Sequence, residues 1–217
     1  MKTCLGYLRA CAFASVLVLA SQPVSAVVLS LEPDVAAVGV GDPLAVSLVV
    51  DGLTAGGPDS LGDFDVDVAF DPAALSFTGL TLGASLGDPG LFEALDFSQG
   101  DLGGGRVNVA ESSLLEADSA SCVLCVAPFL DELQGSRFTL ATLTFDVALL
   151  APGATTAISI DAVNALGDAF GQPLPLDAAR GAVVTGTQPP VAVSAPGTLL
   201  LLAGGLGLLV GRRPRHG

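Results

Sequence analysis

The sequence predicts an all-β fold, a single jelly-roll or β-sandwich of about nine strands with one or two short helical turns. Three observations lead to this prediction. Strand-length apolar runs are separated by Gly, Pro and Asp throughout the central part of the chain. Turn signals recur about every ten residues, a spacing typical of sandwiches and jelly rolls. One run alternates strictly between acidic and apolar residues, as a half-buried strand does.

The alternating run spans residues 63–70 and ends at a turn, Asp71-Pro72. It places three aspartates on one side and four apolar residues on the other: Asp63, Asp65 and Asp67 against Phe64, Val66, Val68 and Phe70. We expect the apolar side to face the interior of the sandwich. The aspartates then face outward, as a solvated strand face or as a binding face, and outward charges favour the solvated interpretation.

Seven further runs have the length and composition of strands. They are Val27–Leu31, Leu44–Val50, Leu75–Leu82, Arg106–Ala110, Phe138–Leu149, Thr155–Ile160 and Ala182–Thr185. Two stretches break the pattern and are predicted as short helical turns, Glu111–Asp118 and Pro128–Gln134. Pro128 suits a first helical turn because its missing N–H is not needed there.

The first 26 residues have the features of a secretory signal peptide, with a basic start, an apolar run and small residues before a cleavage point after Ala26. The alternative is an uncleaved anchor, but the apolar run is short for a membrane span. We therefore expect an exported protein whose folded domain comprises residues 27–187.

The C-terminal part predicts a membrane-spanning segment. A Pro-containing linker, residues 188–194, precedes an apolar segment, residues 195–211, and a basic stub, residues 212–217. As a helix the apolar segment is about 26 Å long, close to the thickness of a hydrocarbon core. Arg212, Arg213 and Arg215 act as a membrane stop that stays cytoplasmic. A buried core helix is the weaker alternative, since globular domains seldom end in an apolar helix and a basic stub.

The charge and composition of the domain exclude several functions. All 22 acidic residues lie between Glu32 and Asp177, against three arginines there, which gives a net charge of −19. Such a surface repels nucleic acid, so we expect no nucleic-acid partner. The domain has no His, Lys, Tyr or Trp, which removes catalytic triads, Schiff-base lysines and the usual zinc sites. A two-carboxylate glycosidase stays open on residue types alone, but we predict a non-enzyme.

Two cysteines stay in the domain after signal cleavage, Cys122 and Cys125, in a C-x-x-C arrangement. In an exported domain we expect them to form a local disulfide that staples a loop. A thioredoxin-like redox motif is the alternative, and it requires a βαβ setting that the sequence does not show.

The segment 61–75, LGDFDVDVAFDPAAL, resembles an early strand of cohesin domains, in which an alternating strand ends in an aromatic-Asp-Pro turn and a Leu opens the next strand. Phe70-Asp71-Pro72 and Leu75 match these positions. The stretch Phe138–Phe145 is similar to a cohesin core strand, and Asn164–Asp168 is similar to a late turn of cohesin-like proteins. The resemblance covers most of residues 27–185.

The C-terminus is similar to a PEP-CTERM sorting tail recognised by exosortases, which has a short signature, an apolar helix and a basic cluster. Residues 193–197, VSAPG, keep a proline but lack the Pro-Glu-Pro core, so the signature is degenerate. The resemblance implies a Gram-negative bacterium and a protein that is either held at the inner membrane or released to the cell surface or extracellular matrix.

The cohesin resemblance implies a nine-stranded jelly roll, related to carbohydrate-binding modules, that binds a protein partner through one sheet face. Asp63, Asp65 and Asp67 are then candidates for acidic contacts. A polysaccharide partner is the alternative, which the missing Trp and Tyr disfavour. We expect no cofactor; calcium bound between Asp59 and Asp63, or between Asn164 and Asp168, is a weak possibility because neither pair has a recognisable ligand spacing.

Overall fold

The structure, a computed structural model, describes residues 27–54, 60–122 and 124–188. The predicted signal peptide with its cleavage point at Ala26 and the predicted membrane-spanning segment with Arg212, Arg213 and Arg215 lie outside the described residues, as does Asp59. Within the described ranges no helix is long and apolar enough to cross a membrane.

Two β-sheets pack face to face, and their strands are named here in chain order. They are β1 (Val27–Pro33), β2 (Ala37–Val38), β3 (Pro43–Asp51), β4 (Leu61–Phe70), β5 (Leu75–Leu82), β6 (Ala94–Asp96), β7 (Gly100–Asp101), β8 (Arg106–Ser113), β9 (Arg137–Val147), β10 (Thr155–Asp168), β11 (Leu176–Arg180) and β12 (Ala182–Gly186). The first sheet has the order β11-β1-β3-β9-β5. The second has the order β2-β12-β10-β4-β8-β6, with β7 also paired to β8. Nine of these strands have five residues or more, which confirms the predicted fold class.

The core lies between the two sheets and is built from the residues of each strand that point inward. Phe64, Val66 and Val68 of β4 are buried, as their alternation with aspartates predicts. The ring of Phe145 on β9 meets those of Phe70 and Phe77 edge to face, with centroids 5.1 and 5.8 Å apart. The contact between Phe70 and Phe145 joins the two sheets, whereas Phe77 and Phe145 pair within the first sheet.

The helical turns differ in part from the prediction. A short helix, α1 (Leu130–Leu133), forms within the predicted stretch Pro128–Gln134, and a 3₁₀ turn at Pro89–Leu91 was not predicted. The predicted turn at Glu111–Asp118 is wrong, because residues 111–113 complete β8. Strand pairing, and not local propensity, determines the conformation of this segment, because Glu111 pairs with Phe64 on one side and with Asp96 on the other.

Strand β10 continues beyond the predicted end at Ile160. The sequence pattern does not reveal this extension, because two bulges interrupt the alternation of the strand. Asp161 and Asn164 are the extra residues, each without a partner in the pairing with β4. The inward residues Ile160, Val163 and Leu166 are therefore three apart instead of two. The predicted late turn at Asn164–Asp168 is wrong: these residues belong to β10, and the chain turns after Asp168.

Candidate functional site

The outer face of the second sheet gathers the polar side chains of β4, β8 and β10. Register places Asp63 beside Ser112, Asp65 beside Ala110 and Asp67 beside Asn108. We call this surface the acidic face and define it by the following residues: Asp63, Asp65, Asp67, Arg106, Asn108, Asp161, Asn164 and Asp168. Five carboxylates and one guanidinium make it strongly negative.

Asn108 lies at the centre of the acidic face and is 2% exposed. Its Nδ2 donates to Asp65 Oδ1 at 2.7 Å and to Asp67 Oδ1 at 2.9 Å, while its Oδ1 accepts from the Gln99 backbone N–H at 3.1 Å. Both the Nδ2 and the Oδ1 atoms of the Asn108 amide thus form hydrogen bonds. The amide holds two carboxylates in fixed positions, which a mobile surface residue would not do.

Arg106 neutralises part of the acidic face. Its guanidinium donates to Asp67 Oδ2 at 2.8 Å and lies 3.2 Å from Asp161 Oδ2. The Asp67 side chain is 12% exposed, whereas those of Arg106 and Asp161 are about half exposed. The solvated interpretation of the three aspartates is therefore wrong for Asp67, which is buried beneath its partners.

The two bulges of β10 complete the face. Because each bulge residue is extra to the pairing, Asp161 and Asn164 join the outward side chains of their neighbours. Asn164 Nδ2 donates to Asp65 Oδ1 at 3.1 Å, so that this oxygen accepts from two amides. Asp65 is thus held by donors from both neighbouring strands, and Asp67 by two donors from β8.

Asp63 differs from the other two aspartates, since no hydrogen bond to its carboxylate occurs among the described residues. Its side chain lies directly against Gly167, at a distance that leaves no room for a Cβ there. Partial burial, together with the charge of Asp168, raises the pKa of Asp63 above its usual value. Asp63 is therefore the acidic-face carboxylate with both oxygens open to a partner, whereas each of the others has at least one oxygen engaged.

Shallow clefts lie on both sides of Asp63. One, of 110 Å³, is lined by Ser112, Leu115, Leu130 and Asp168; the other, of 320 Å³, is lined by residues of β10 and Pro173. Asp168 is already engaged, because its Oδ1 accepts from the backbone N–H groups of Phe170 and Gln172. The clefts give side chains of a partner access to Asp63.

An apolar edge borders the acidic face. Leu95 of β6 pairs with Ser112, which in turn pairs with Asp63, so these three residues form one row across the sheet. Phe97 donates its backbone N–H to Ala110 O, and Ala110 pairs with Asp65, so Phe97 and Asp65 lie in the next row with β8 between them. Leu95 is 37% and Phe97 59% exposed. The acidic groups of β4 and the apolar groups of the sheet edge therefore lie on one surface, on either side of β8.

Of the two calcium pairs, Asn164 and Asp168 are not brought together, and the pair of Asp59 with Asp63 includes a residue outside the described ranges. Asn164 bonds to Asp65, and Asp168 caps its own turn, so the two are engaged separately. The structure joins Cys122 to Cys125 by a disulfide in the exposed loop between β8 and α1, where Cys125 Sγ lies 4.0 Å from Glu116 Oε1. This loop is not the βαβ setting that a thioredoxin-like motif requires.

Sequence reasoning missed Arg106, Asn108, Leu95 and Phe97 as parts of this surface. A usable signal was present for the first two, because residues 106–110, RVNVA, alternate polar and apolar residues as β4 does. No comparable signal marks Leu95 and Phe97, which lie in a long connection whose pairing with β8 is visible only in the structure.

Comparison with family models of protein sequences gives no match, and neither does comparison with curated protein sequences. Solved structures do match. The seventh ScaB type I cohesin from Pseudobacteroides cellulosolvens superposes with a TM-score of 0.57 at 12% identity, covering 78% of this chain and 98% of that one. A type II cohesin domain from the cellulosome of Acetivibrio cellulolyticus gives a TM-score of 0.55 at 18% identity, covering 73% and 95%.

A third similar structure was solved with a partner. The sixth cohesin from scaffoldin B of Acetivibrio cellulolyticus, in complex with a Cel5 dockerin, gives a TM-score of 0.53 at 14% identity and covers 75% of this chain and 99% of that one. At these identities the likeness concerns the fold. Residues 27–188 have the jelly-roll fold of cohesin domains.

Proposed function

We propose that residues 27–188 form a non-catalytic module that binds a partner protein through the acidic face. The observation that carries the proposal is the fixed acidic network with one carboxylate, Asp63, left without a hydrogen bond among the described residues and bordered by exposed Leu95 and Phe97. Solved structures of the same fold include complexes with dockerins, which supports a protein as the class of partner.

The chemistry of the partner follows from the surface. A basic or hydroxyl side chain satisfies Asp63, and an apolar side chain covers Leu95 and Phe97. Because the domain carries a net charge of −19, a basic partner also gains from long-range attraction that raises its association rate and decreases with salt. The acidic face lacks a His, Lys, Cys or Ser–base arrangement for nucleophilic catalysis, consistent with a binding role.

Capture with the full-length chain tests the proposal. We expect Asp63→Asn to weaken retention of the protein partner about tenfold or more, because a charge-assisted hydrogen bond at a buried contact contributes about 1.5–3 kcal/mol. Asp177→Asn is the matched control: it removes the same charge from an exposed position on β11 in the other sheet and should leave retention unchanged. Equal loss in both variants, or retention of glycans without protein, would contradict the proposal.

We also propose that the module is exported and held at the envelope by its C-terminal segment. The signal-like start, the apolar residues 195–211 and the basic stub support this proposal. Fractionation of cells that express the full chain and a chain ending at residue 188 tests it. We expect the full chain in the membrane fraction and the shorter chain outside it; both chains in the cytosol would contradict the proposal.

A further inference from the structure

One carboxyl group faces the interior of the sandwich. Glu111 lies on β8 with the same phase as Val107 and Val109, both of which belong to the core. No bulge interrupts β8 in its pairing with β4 or with β6, so the two-residue period holds along its length. Glu111 is 1% exposed, and both of its carboxyl oxygens are buried without a hydrogen-bond partner among the described residues.

The surroundings of Glu111 offer no compensating positive charge. Across β4 its pairing neighbour is Phe64, and across β6 it is Asp96, an acidic residue. Of the three arginines in the described residues, Arg106 and Arg137 form their ion pairs elsewhere, and Arg180 pairs with Ser30 in the first sheet. Glu93 and Asp101, on the same connection as β6, accept hydrogen bonds from the backbone N–H groups of Asp88 and Gly103. Burial, and then the charge of Asp96, raise the pKa of Glu111 from 4.5 to about 7.

Only one strand separates Glu111 from the edge of the sheet. Strand β6 has three residues, pairs with β8 alone, and is the last strand on that side. Two backbone hydrogen bonds add to its attachment, from Phe97 N–H to Ala110 O and from Leu114 N–H to Glu93 O. A short edge strand with few bonds is the element that opens at the lowest free-energy cost. It also carries Leu95, and Phe97 follows it directly.

We propose that Glu111 is a pH-sensitive latch beside edge strand β6: neutral Glu111 allows β6 to pack on β8, and ionised Glu111 releases β6 together with Leu95 and Phe97. An ionised carboxylate without a partner is costly in the interior, and opening of β6 admits water to it. Since the pKa is higher in the closed state, the stabilisation of β6 is complete below pH 4.5 and is lost as the pH rises through about 7.

The latch affects the proposed function because β6 and Phe97 supply the apolar border of the acidic face. Binding through that border is then tighter at pH 6 than at pH 8. This consequence rests on the proposed function, whereas the latch itself does not. The composition of the domain makes the effect measurable, because residues 27–188 contain no His and both of their cysteines are in the disulfide, so neither a histidine nor a free thiol titrates beside Glu111 between pH 6 and pH 8.

Hydrogen exchange of backbone amides in the full-length chain tests the latch. After correction for intrinsic exchange rates, we expect protection of the Phe97 and Leu114 amides to fall about tenfold between pH 6 and pH 8 in the wild type. Glu111→Gln keeps the shape of the side chain without its charge and should show no such fall. His216→Gln serves as a background variant, which removes the only histidine of the chain and should behave as the wild type.

The amide of Asp34, bonded to Ala45 O in the first sheet, is the internal reference. Its protection should not change between pH 6 and pH 8. An equal fall at Asp34 and Phe97 would mean that the charge acts on the whole fold and would overturn the latch, as would a fall that persists in Glu111→Gln. A titration of the Glu111 carboxyl carbon by NMR with a midpoint near 4.5 would overturn it independently.

Partner capture is measured separately at the two pH values. Retention by the wild type that is stronger at pH 6, with no pH dependence in Glu111→Gln, would connect the latch to the acidic face. Exchange that follows the latch, together with capture that is insensitive to Asp63→Asn, would leave the latch in place and reject the proposed function. Failure of the latch and failure of the proposed function therefore give different results.

Discussion

Each sheet carries an arginine–carboxylate cluster on its outer face, and the two clusters differ in burial. On the second sheet Arg106 bonds to Asp67, whose side chain is 12% exposed and is held by Asn108 as well. On the first sheet Arg137 bonds to Glu32 at 2.6 Å and to Asp51 at 3.4 Å, and all three side chains are about half exposed. The same residue types thus form a fixed network on one sheet and a solvated pair on the other.

The difference comes from the neighbours of each cluster. Around Arg106 the bulges of β10 and the amide of Asn108 supply further donors and acceptors, so that removal of one member leaves others desolvated. Around Arg137 the neighbouring side chains line an open cleft of 350 Å³ that includes Ser47 and Thr139, and water replaces a lost partner there. Burial of the partners, and not the number of ion pairs, determines the energy of each cluster.

The largest effect is expected at Asn108. Asn108→Ala removes the donor shared by Asp65 and Asp67, and leaves buried Asp67 Oδ1 without its partner beside a second carboxylate. We expect a loss of about 2–3 kcal/mol in the free energy of unfolding, measured by urea denaturation. Ser112→Ala, at a half-buried position on the same face of β8, is the control and should cost under about 1 kcal/mol.

A smaller effect is expected at Arg106. Arg106→Met keeps the apolar stem but leaves the carboxylate of Asp67 without its strongest partner, and we expect a loss of about 1–2 kcal/mol. The double variant Arg106→Met/Asp67→Asn should recover about half of this loss, because the uncompensated charge is then absent. Additive losses in the double variant would show that Arg106 and Asp67 are not coupled, against the geometry.

The smallest effect is expected at Arg137. Arg137→Met should lower the free energy of unfolding by less than Arg106→Met does, and the loss should disappear in high salt because the pair is exposed. The hydrogen bond from Arg137 holds the pKa of Glu32 below 4.5, so the stabilisation is present above pH 4.5 and disappears as the pH falls through the lowered pKa. A loss as large as that at Arg106 would remove the contrast between the two sheets.

The fold and the acidic face were predictable to different extents. The inward positions of Phe64, Val66 and Val68 follow from their period, because one buried face imposes alternation on a strand. The partners of the aspartates do not follow from that period. Asn108 is 41 residues from Asp67, and Asn164 is 99 residues from Asp65, so only the register of three strands brings them together.

Two of the errors in the sequence analysis have the same physical origin. Glu111 was predicted in a helical turn because residues 111–118 break the strand pattern, and the strand that begins at Thr155 was predicted to end at Ile160. In both places pairing with β4 overrides the local pattern. Strand β11 is a similar case, since its sequence LDAAR has no strand signal and its parallel pairing with β1 comes from tertiary structure alone.

The bulges of β10 affect how the acidic face can evolve. Asp161 and Asn164 have no partner in the pairing with β4. Deletion of either residue therefore leaves Val163 and Leu166 pointing into the sandwich. Deletion of one residue within a strand usually shifts the register and disrupts the core. We expect the fold to tolerate such a deletion at either of these two positions. It would remove one partner of Arg106 or one donor to Asp65, so the specificity of the acidic face can be altered by chain length as well as by substitution.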